Sequence, residues 1–220
     1  VGDVPLATST EIKRRAKDVF ATQNRAVTKQ DYVSTVYSLP AKFGAVKRCN
    51  ILRDHNSLKR NLNLYVVSED RGGNLILTND SIKSNLKVWL GKNKMINDTI
   101  DILNARILNL GVEFSVVGDT QINKYEILTA AKAALSSYYT AIPDIAEPFY
   151  ITDVHTILKD VHGVTDVLDV QIKQLHGGSY TDLAFDVDGN ISADGRLVNV
   201  PEDVIWEVKY PDIDIKGVVK

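Results

Sequence analysis

The sequence predicts an α+β protein: two small, related helix/strand units with mixed or antiparallel sheets, plus a C-terminal β-hairpin extension. Three observations lead there. Helix-start signals recur along the chain, each followed by apolar residues at helical spacing. Runs that alternate apolar and polar residues lie between them. A helix–glycine–strand pattern occurs twice, around Gly44 and around Gly163.

The helix starts share one device. An N-cap side chain accepts a bond from a free backbone N–H, and an acid three residues later bonds back. Thr8 and Glu11, Thr28 and Asp31, and Asn123 and Glu126 have this spacing. Val27 and Tyr32 flank the second cap as a hydrophobic staple, and Ile122 and Ile127 flank the third. Leu77 and Ile82 flank a Thr78 cap that lacks the acid. Helical spacing then runs through Tyr32, Val33, Val36 and Tyr37, stopping at Leu39–Pro40. It returns in Ile82, Leu86, Trp89 and Leu90, ending near Gly91, and in Ile127, Leu128, Ala131, Leu135 and Tyr138. A fifth helix carries Val154, Ile157, Leu158 and Val161 and stops at Gly163.

Among the strands, "AVKRCNIL" and "NLNLYVVS" read as a hairpin about a polar turn. "TIDILNARIL" and "GVEFSVVG" read as a second pair about "NLG", and "VTDVLDVQIK" as a single strand. Asp188–Gly189 and Asp194–Gly195 are hairpin-turn signals. "VIWEVKYP" is a last strand, stopped by Pro211. Pro143 and Pro148 break any helix between the two units. The expected organisation is therefore an N-terminal helical segment over 1–27, a first α+β domain over 28–142, a second helix–strand unit over 143–185, and the hairpin with the terminal strand over 186–220.

The totals narrow the function. A net charge of -2 over 220 residues argues against a dedicated nucleic-acid binder. Residues 1–60 carry a balance of +7 and residues 186–220 one of -4. Two solvated faces account for this most simply; attraction between neighbouring subunits is the other reading. Cys49 is the only cysteine, which excludes a disulfide within the chain and fits a reducing compartment. No apolar run approaches the ~20 residues that span a bilayer. The only methionine is Met95, so the chain reads as a portion or processed product of something longer.

Searches for chemistry return structural explanations. Asp186 to Asp194 imitates a calcium loop, but its glycine is misplaced and no Glu closes it. His155 and His162 lie two turns apart on one predicted helix, about 10 Å, too far to share a metal. His176 sits beside two glycines without the Gly-Lys-Ser/Thr ending of a phosphate loop. Cys49 has cationic neighbours but no placed His, and Lys13 to Lys17 reads as a solvated basic helix face. No catalytic residue, cofactor site or metal site is expected.

The stretch "NRAVTKQDY", Asn24 to Tyr32, leads through Gly44 to a strand at Val46. It resembles the baseplate J-like family of contractile phage tails, in which a helix opened by this motif leads to a Gly-Val step and a strand. Here Ala45 separates Gly44 from Val46, a small departure. "KNKMINDTIDILNARILNLGVEFSVVGD" is similar to the larger T-even-type members, the baseplate wedge subunits. "HGVTDVLDVQI" matches the family's second helix–Gly-Val–strand unit, and "VIWEVKYPDIDIKG" resembles the C-terminal end.

The resemblance implies the C-terminal portion of a structural virion protein of the tail baseplate, a late protein assembled in the host cytoplasm. Its implied partners are itself, as a dimer or ring, and other wedge and hub proteins, with no nucleic acid and no membrane insertion. The implied role is to join wedges into a ring around the hub and to transmit the change that triggers sheath contraction. A module of another contractile or secretion-system baseplate is the alternative, and an unrecognised enzyme using Cys49 or the histidines is a third. A ring subunit needs contact surfaces, and aromatics are enriched in interface cores. The candidates are Tyr138, Tyr139, Phe149 and Tyr150 at the junction, and Trp206 and Tyr210 in the terminal strand; a place in the core is the equal alternative for each. Arg25 joins them as the motif residue that the helix cap does not use.

Overall fold

The computed structural model describes residues 25–54 and 61–220, with single helical, exposed positions at Ser9, Ile12, Lys13, Ala16, Lys17 and Phe20. The Thr8–Glu11 helix start, Asn24 and the turn after Asp54 lie outside the described residues. The fold class is α+β with mixed sheets, in two compact units, Val1–Ala105 and Arg106–Lys220.

The first unit opens, among the described segments, with α1 (Lys29–Tyr37). Asp31 N–H donates to the Thr28 hydroxyl at 3.2 Å, and Thr28 N–H donates back to Asp31 Oδ2 at 2.8 Å. Val27 N–H adds a third bond at 3.1 Å. Partial burial pushes the Asp31 carboxyl up, but these bonds outweigh it and leave the group below the usual carboxylate range. The expected staple does not close: Tyr32 is buried, yet Val27 is 52% exposed.

Strand β1 (Arg48–Arg53) pairs antiparallel with β2 (Asn61–Glu69), from Arg48 opposite Val67 to Arg53 opposite Leu62. The short β3 (Leu75–Ile76) pairs with the end of β2. Helix α2 (Asp80–Gly91) starts one residue later than expected, because Asn79 rather than Thr78 is its cap and accepts from Ser81 N–H at 3.0 Å. Thr78 instead turns its hydroxyl inward to that of Ser68, 3.0 Å away. Leu77 is left 61% exposed, so this staple fails too. Strand β4 (Thr99–Asn104) runs parallel to β2, not in a hairpin with the next strand. Tyr32, Val36, Ile51, Leu64, Leu86 and Leu90 form the core. A fully buried leucine such as Leu64 or Leu86 contributes about 1.5–3 kcal/mol over an exposed one.

The second unit is built on β5 (Arg106–Gly118), which runs straight through the expected "NLG" turn. Antiparallel β7 (Val164–Leu175) lies on one edge. Parallel β9 (Val204–Glu207) and β10 (Ile215–Val219) pair with successive parts of the same strand. Helix α3 (Lys124–Tyr139) is capped by Asn123, whose side chain accepts from Tyr125 N–H at 3.0 Å. It buries Ile127, Ala131, Leu135 and Tyr139, so the apolar stripe ends on Tyr139 rather than on Tyr138. Helix α4 (Ile151–Asp160) comes directly after the two-residue β6 (Phe149–Tyr150). It stops before Val161, which is extended, so His162 is not on the helix with His155.

The C-terminal hairpin shrinks to one bridge between Ile191 and Val198. Asp188–Asn190 is a 3-10 turn, and β8 (Leu197–Val198) pairs with β6 instead. Pro211 does not end the structure. It opens a one-turn helix, α5 (Pro211–Asp214), which leads into β10. Proline suits this first helical position because its missing N–H would be unbonded there.

The chain divides after Ala105, whereas the sequence expectation ran the first domain on to 142. The reason is pairing: every strand partner of β5 comes after residue 163, so β5 and α3 belong to the C-terminal unit. The internal echo has a counterpart in each unit. Helix α1 reaches β1 through Gly44 at φ +112°, and α4 reaches β7 through Gly163 at φ +90°. Each of those strands lies antiparallel to a long strand that also has a parallel partner.

Candidate functional site

The junction aromatics come together in the second unit. Tyr139, at the end of α3, stacks on Phe149 of β6 with centroids 5.5 Å apart and planes at 17°. Trp206 of β9 meets both edge-on, 4.9 Å from Phe149 and 5.9 Å from Tyr139. Its indole N–H donates to Glu147 O at 2.9 Å. Tyr138 stands edge-on to Tyr139 at 5.2 Å.

The cluster is graded in depth. Phe149 is fully buried, and Tyr139 and Trp206 are each 8% exposed. Tyr138 and Tyr150 are 47% and 42% exposed. So Phe149 is a core residue, Tyr139 and Trp206 form a floor, and Tyr138 and Tyr150 are offered to the outside. A cavity of about 330 Å³ opens here, lined by Tyr138, Tyr139, Glu147, Tyr150, Asp153 and Trp206 among others. Both charges in its lining are negative.

Two bonds fix those acids. The Tyr138 hydroxyl donates to Asp153 Oδ2 at 2.7 Å, and Asp144 N–H donates to Glu147 Oε2 at 2.7 Å. The bond to Asp153 is the main reason that the Tyr138 phenol is pushed up to about 12; burial and the charges of Asp153 and Glu147 add to it. Burial, then Tyr138 and Asp153, push the Tyr139 phenol up further. The Tyr139 hydroxyl is buried and has no hydrogen-bond partner in the structure.

Tyr210 sits in a different cluster, edge-on to Tyr180 at 5.9 Å with the Lys209 ammonium 5.7 Å from its ring. Asp214 joins the pair, accepting from the Tyr180 hydroxyl at 2.5 Å and from Tyr210 N–H at 2.8 Å. Arg25, in the first unit, is exposed beside Ala26, whose N–H donates to Asn93 O at 2.9 Å.

Glu147, Asp153 and Tyr180 are the residues missed by sequence reasoning. A signal existed for the first two, which lie within sixteen residues of sequence that also hold Tyr138, Tyr139, Phe149 and Tyr150. Elsewhere, Cys49 is half-buried and its N–H donates to the Tyr37 hydroxyl at 3.3 Å. His155 is half-buried, and His162 and His176 are exposed. Among the described residues, no group of three or more His, Cys, Asp or Glu side chains is placed to hold a metal ion. No helix of the described residues is long and apolar enough to cross a membrane.

No family model and no curated protein matches the sequence. A solved structure does: a chain of the anti-feeding prophage baseplate, determined by cryo-electron microscopy with six-fold symmetrisation, superposes with a TM-score of 0.55. The two chains share a fold. The match covers 92% of this chain at 11% sequence identity and corresponds to 42% of the length of the other. At that identity the fold alone is shared, and the aromatic and acidic side chains are read from this chain alone.

Proposed function

We propose that the chain is a structural subunit of a contractile tail baseplate, of baseplate J-like type and similar to the T-even wedge subunits. The observation that carries this reading is the fold shared over 92% of the chain with a prophage baseplate chain. In this role it joins wedges into a ring around the hub and passes on the rearrangement that triggers sheath contraction. It contacts copies of itself as well as other wedge and hub proteins, and performs no catalysis. Arg25, Tyr138, Tyr150 and Tyr210 are the side chains it presents for contact; Tyr139, Phe149 and Trp206 lie beneath Tyr138 and Tyr150. Assembly takes place in the host cytoplasm, and the product is a virion component.

The same neighbour supports a second reading, an assembly module of another contractile or secretion-system baseplate. One experiment tests both. Particles carrying an epitope-tagged chain are purified and imaged with a gold-labelled antibody. Label at the baseplate end of a phage tail is the expected result. Label only on a different contractile particle selects the second reading, and absence from any such particle overturns both.

A further inference from the structure

We propose that the cavity beside Tyr138 is a socket for a basic side chain, an arginine by preference, supplied by the first unit of a second copy of this chain. The inference rests on the reading that copies of the chain meet in a baseplate.

The chemistry of the cavity selects the ligand. Tyr138, Tyr139, Tyr150 and Trp206 offer aromatic surface, and Glu147 and Asp153 offer two carboxylates with no Lys or Arg in the lining. Aromatic faces attract cations, and carboxylates make their strongest hydrogen bonds with charged donors. Tyr138 engages Asp153 through Oδ2, and Asp144 engages Glu147 through Oε2, which leaves a second oxygen on each. The Tyr139 hydroxyl is a separate observation. Its residue lines the cavity, and the hydroxyl is buried without a partner, where buried polar groups are ordinarily bonded. A planar guanidinium has five N–H donors, enough to reach two carboxylates and a phenol oxygen; an ammonium has three.

Charge identifies the source. The first unit holds 17 Lys+Arg against 10 Asp+Glu, a balance of +7. The second holds 9 against 18, a balance of -9. A contact between the first unit of one copy and the second unit of another sets opposite charges together, whereas like units facing one another repel. Such a contact joins two different surfaces, the type that closes into rings.

The test is sedimentation equilibrium of the whole chain across a salt series. Self-association at low salt that weakens as salt screens the charges is expected. Asp153→Asn with Glu147→Gln is expected to weaken it about tenfold or more. Tyr139→Phe is expected to weaken it about tenfold while leaving the thermal midpoint of the isolated chain unchanged or raised. This variant decides the matter if the double variant fails to fold. Asp160→Asn with Asp212→Asn removes the same charge from exposed positions and is expected to change association less than about twofold.

The socket is overturned if the chain is monomeric at every salt concentration, or binds only a different baseplate protein. It is also overturned if the socket variants associate normally, or if the control weakens association equally. The antibody experiment separates the two ideas: a chain found in the baseplate with socket variants that behave as wild type loses the socket alone.

Discussion

The Tyr138 hydroxyl donates to Asp153 Oδ2 at 2.7 Å, tying the last turn of α3 to the first turn of α4 across fifteen residues of sequence. The bond holds an exposed ring in place at the mouth of the cavity and fixes one of its two acids.

Tyr138→Phe is expected to cost about 0.5–1.5 kcal/mol in denaturant unfolding. The alkaline behaviour comes from the raised phenol, which ordinarily titrates near 10 and here is pushed up to about 12. The protonated form is favoured in the folded state. The contribution is therefore complete below the ordinary value and lost as pH rises through about 12. Tyr180, held up to about 12 by its bond to Asp214, adds a second loss in the same window. Replacing either tyrosine by Phe should lessen the loss of stability in melts at rising pH, and replacing both should lessen it further; an unchanged alkaline limb in the double variant overturns the assignment.

The Thr28–Asp31 cap makes a prediction of opposite sign. The Asp31 carboxyl is held below its ordinary value, so its contribution is present above the unfolded value and lost as pH falls through the folded one. Thr28→Ala is expected to cost about 1 kcal/mol near neutral pH. Asp31→Ala should also remove part of the acid sensitivity of the first unit, read by circular dichroism during acid titration.

Gly44 and Gly91 separate backbone strain from ordinary helix propensity. A Cβ at Gly44 would stand 2.6 Å from Ile82 Cγ1, and φ is +112°. Gly44→Ala is expected to cost about 1–3 kcal/mol. A Cβ at Gly91 meets nothing within 4 Å at the end of α2. Gly91→Ala is expected to be neutral or stabilising by up to about 1 kcal/mol. Equal melting points for the two variants would contradict the geometry.

Asn109 fastens a loop to the sheet. Its amide N–H₂ donates to Glu207 Oε1 at 2.8 Å, and its carbonyl accepts from Thr181 N–H at 2.8 Å. Asn109→Ala is expected to cost about 2–3 kcal/mol, since buried polar groups lose their partner. Limited proteolysis should then cut within residues 176–183, where the wild type resists; cleavage elsewhere first would count against the role.

Local devices were legible because they depend on neighbours in sequence. The Thr28–Asp31 box and the Asn123 cap need only a three- or four-residue window, and both are found in place. Thr78 was misread because its hydroxyl had a tertiary competitor, Ser68, that no local window contains. Tyr138 and Tyr139 exchanged roles for a similar reason. Either continues the helical stripe from Leu135, and only the position of Phe149 and Trp206 decides which ring turns inward.

The sequence by itself determined the four main helices of the described residues, the helix starts at Thr28 and Asn123, the two glycine steps and the concentration of aromatics around residues 138–150. Tertiary structure alone decided the partners. Alternation marks Arg106–Gly118 as extended without saying that residues 164–175, 204–207 and 215–219 will pair with it. Side-chain period is a property of one strand, whereas a hydrogen-bonded ladder belongs to two, and the second is chosen by how the whole unit closes over its core. The same closure sets Glu147 and Asp153 beside Tyr138 and leaves the Tyr139 hydroxyl buried with no bond of its own.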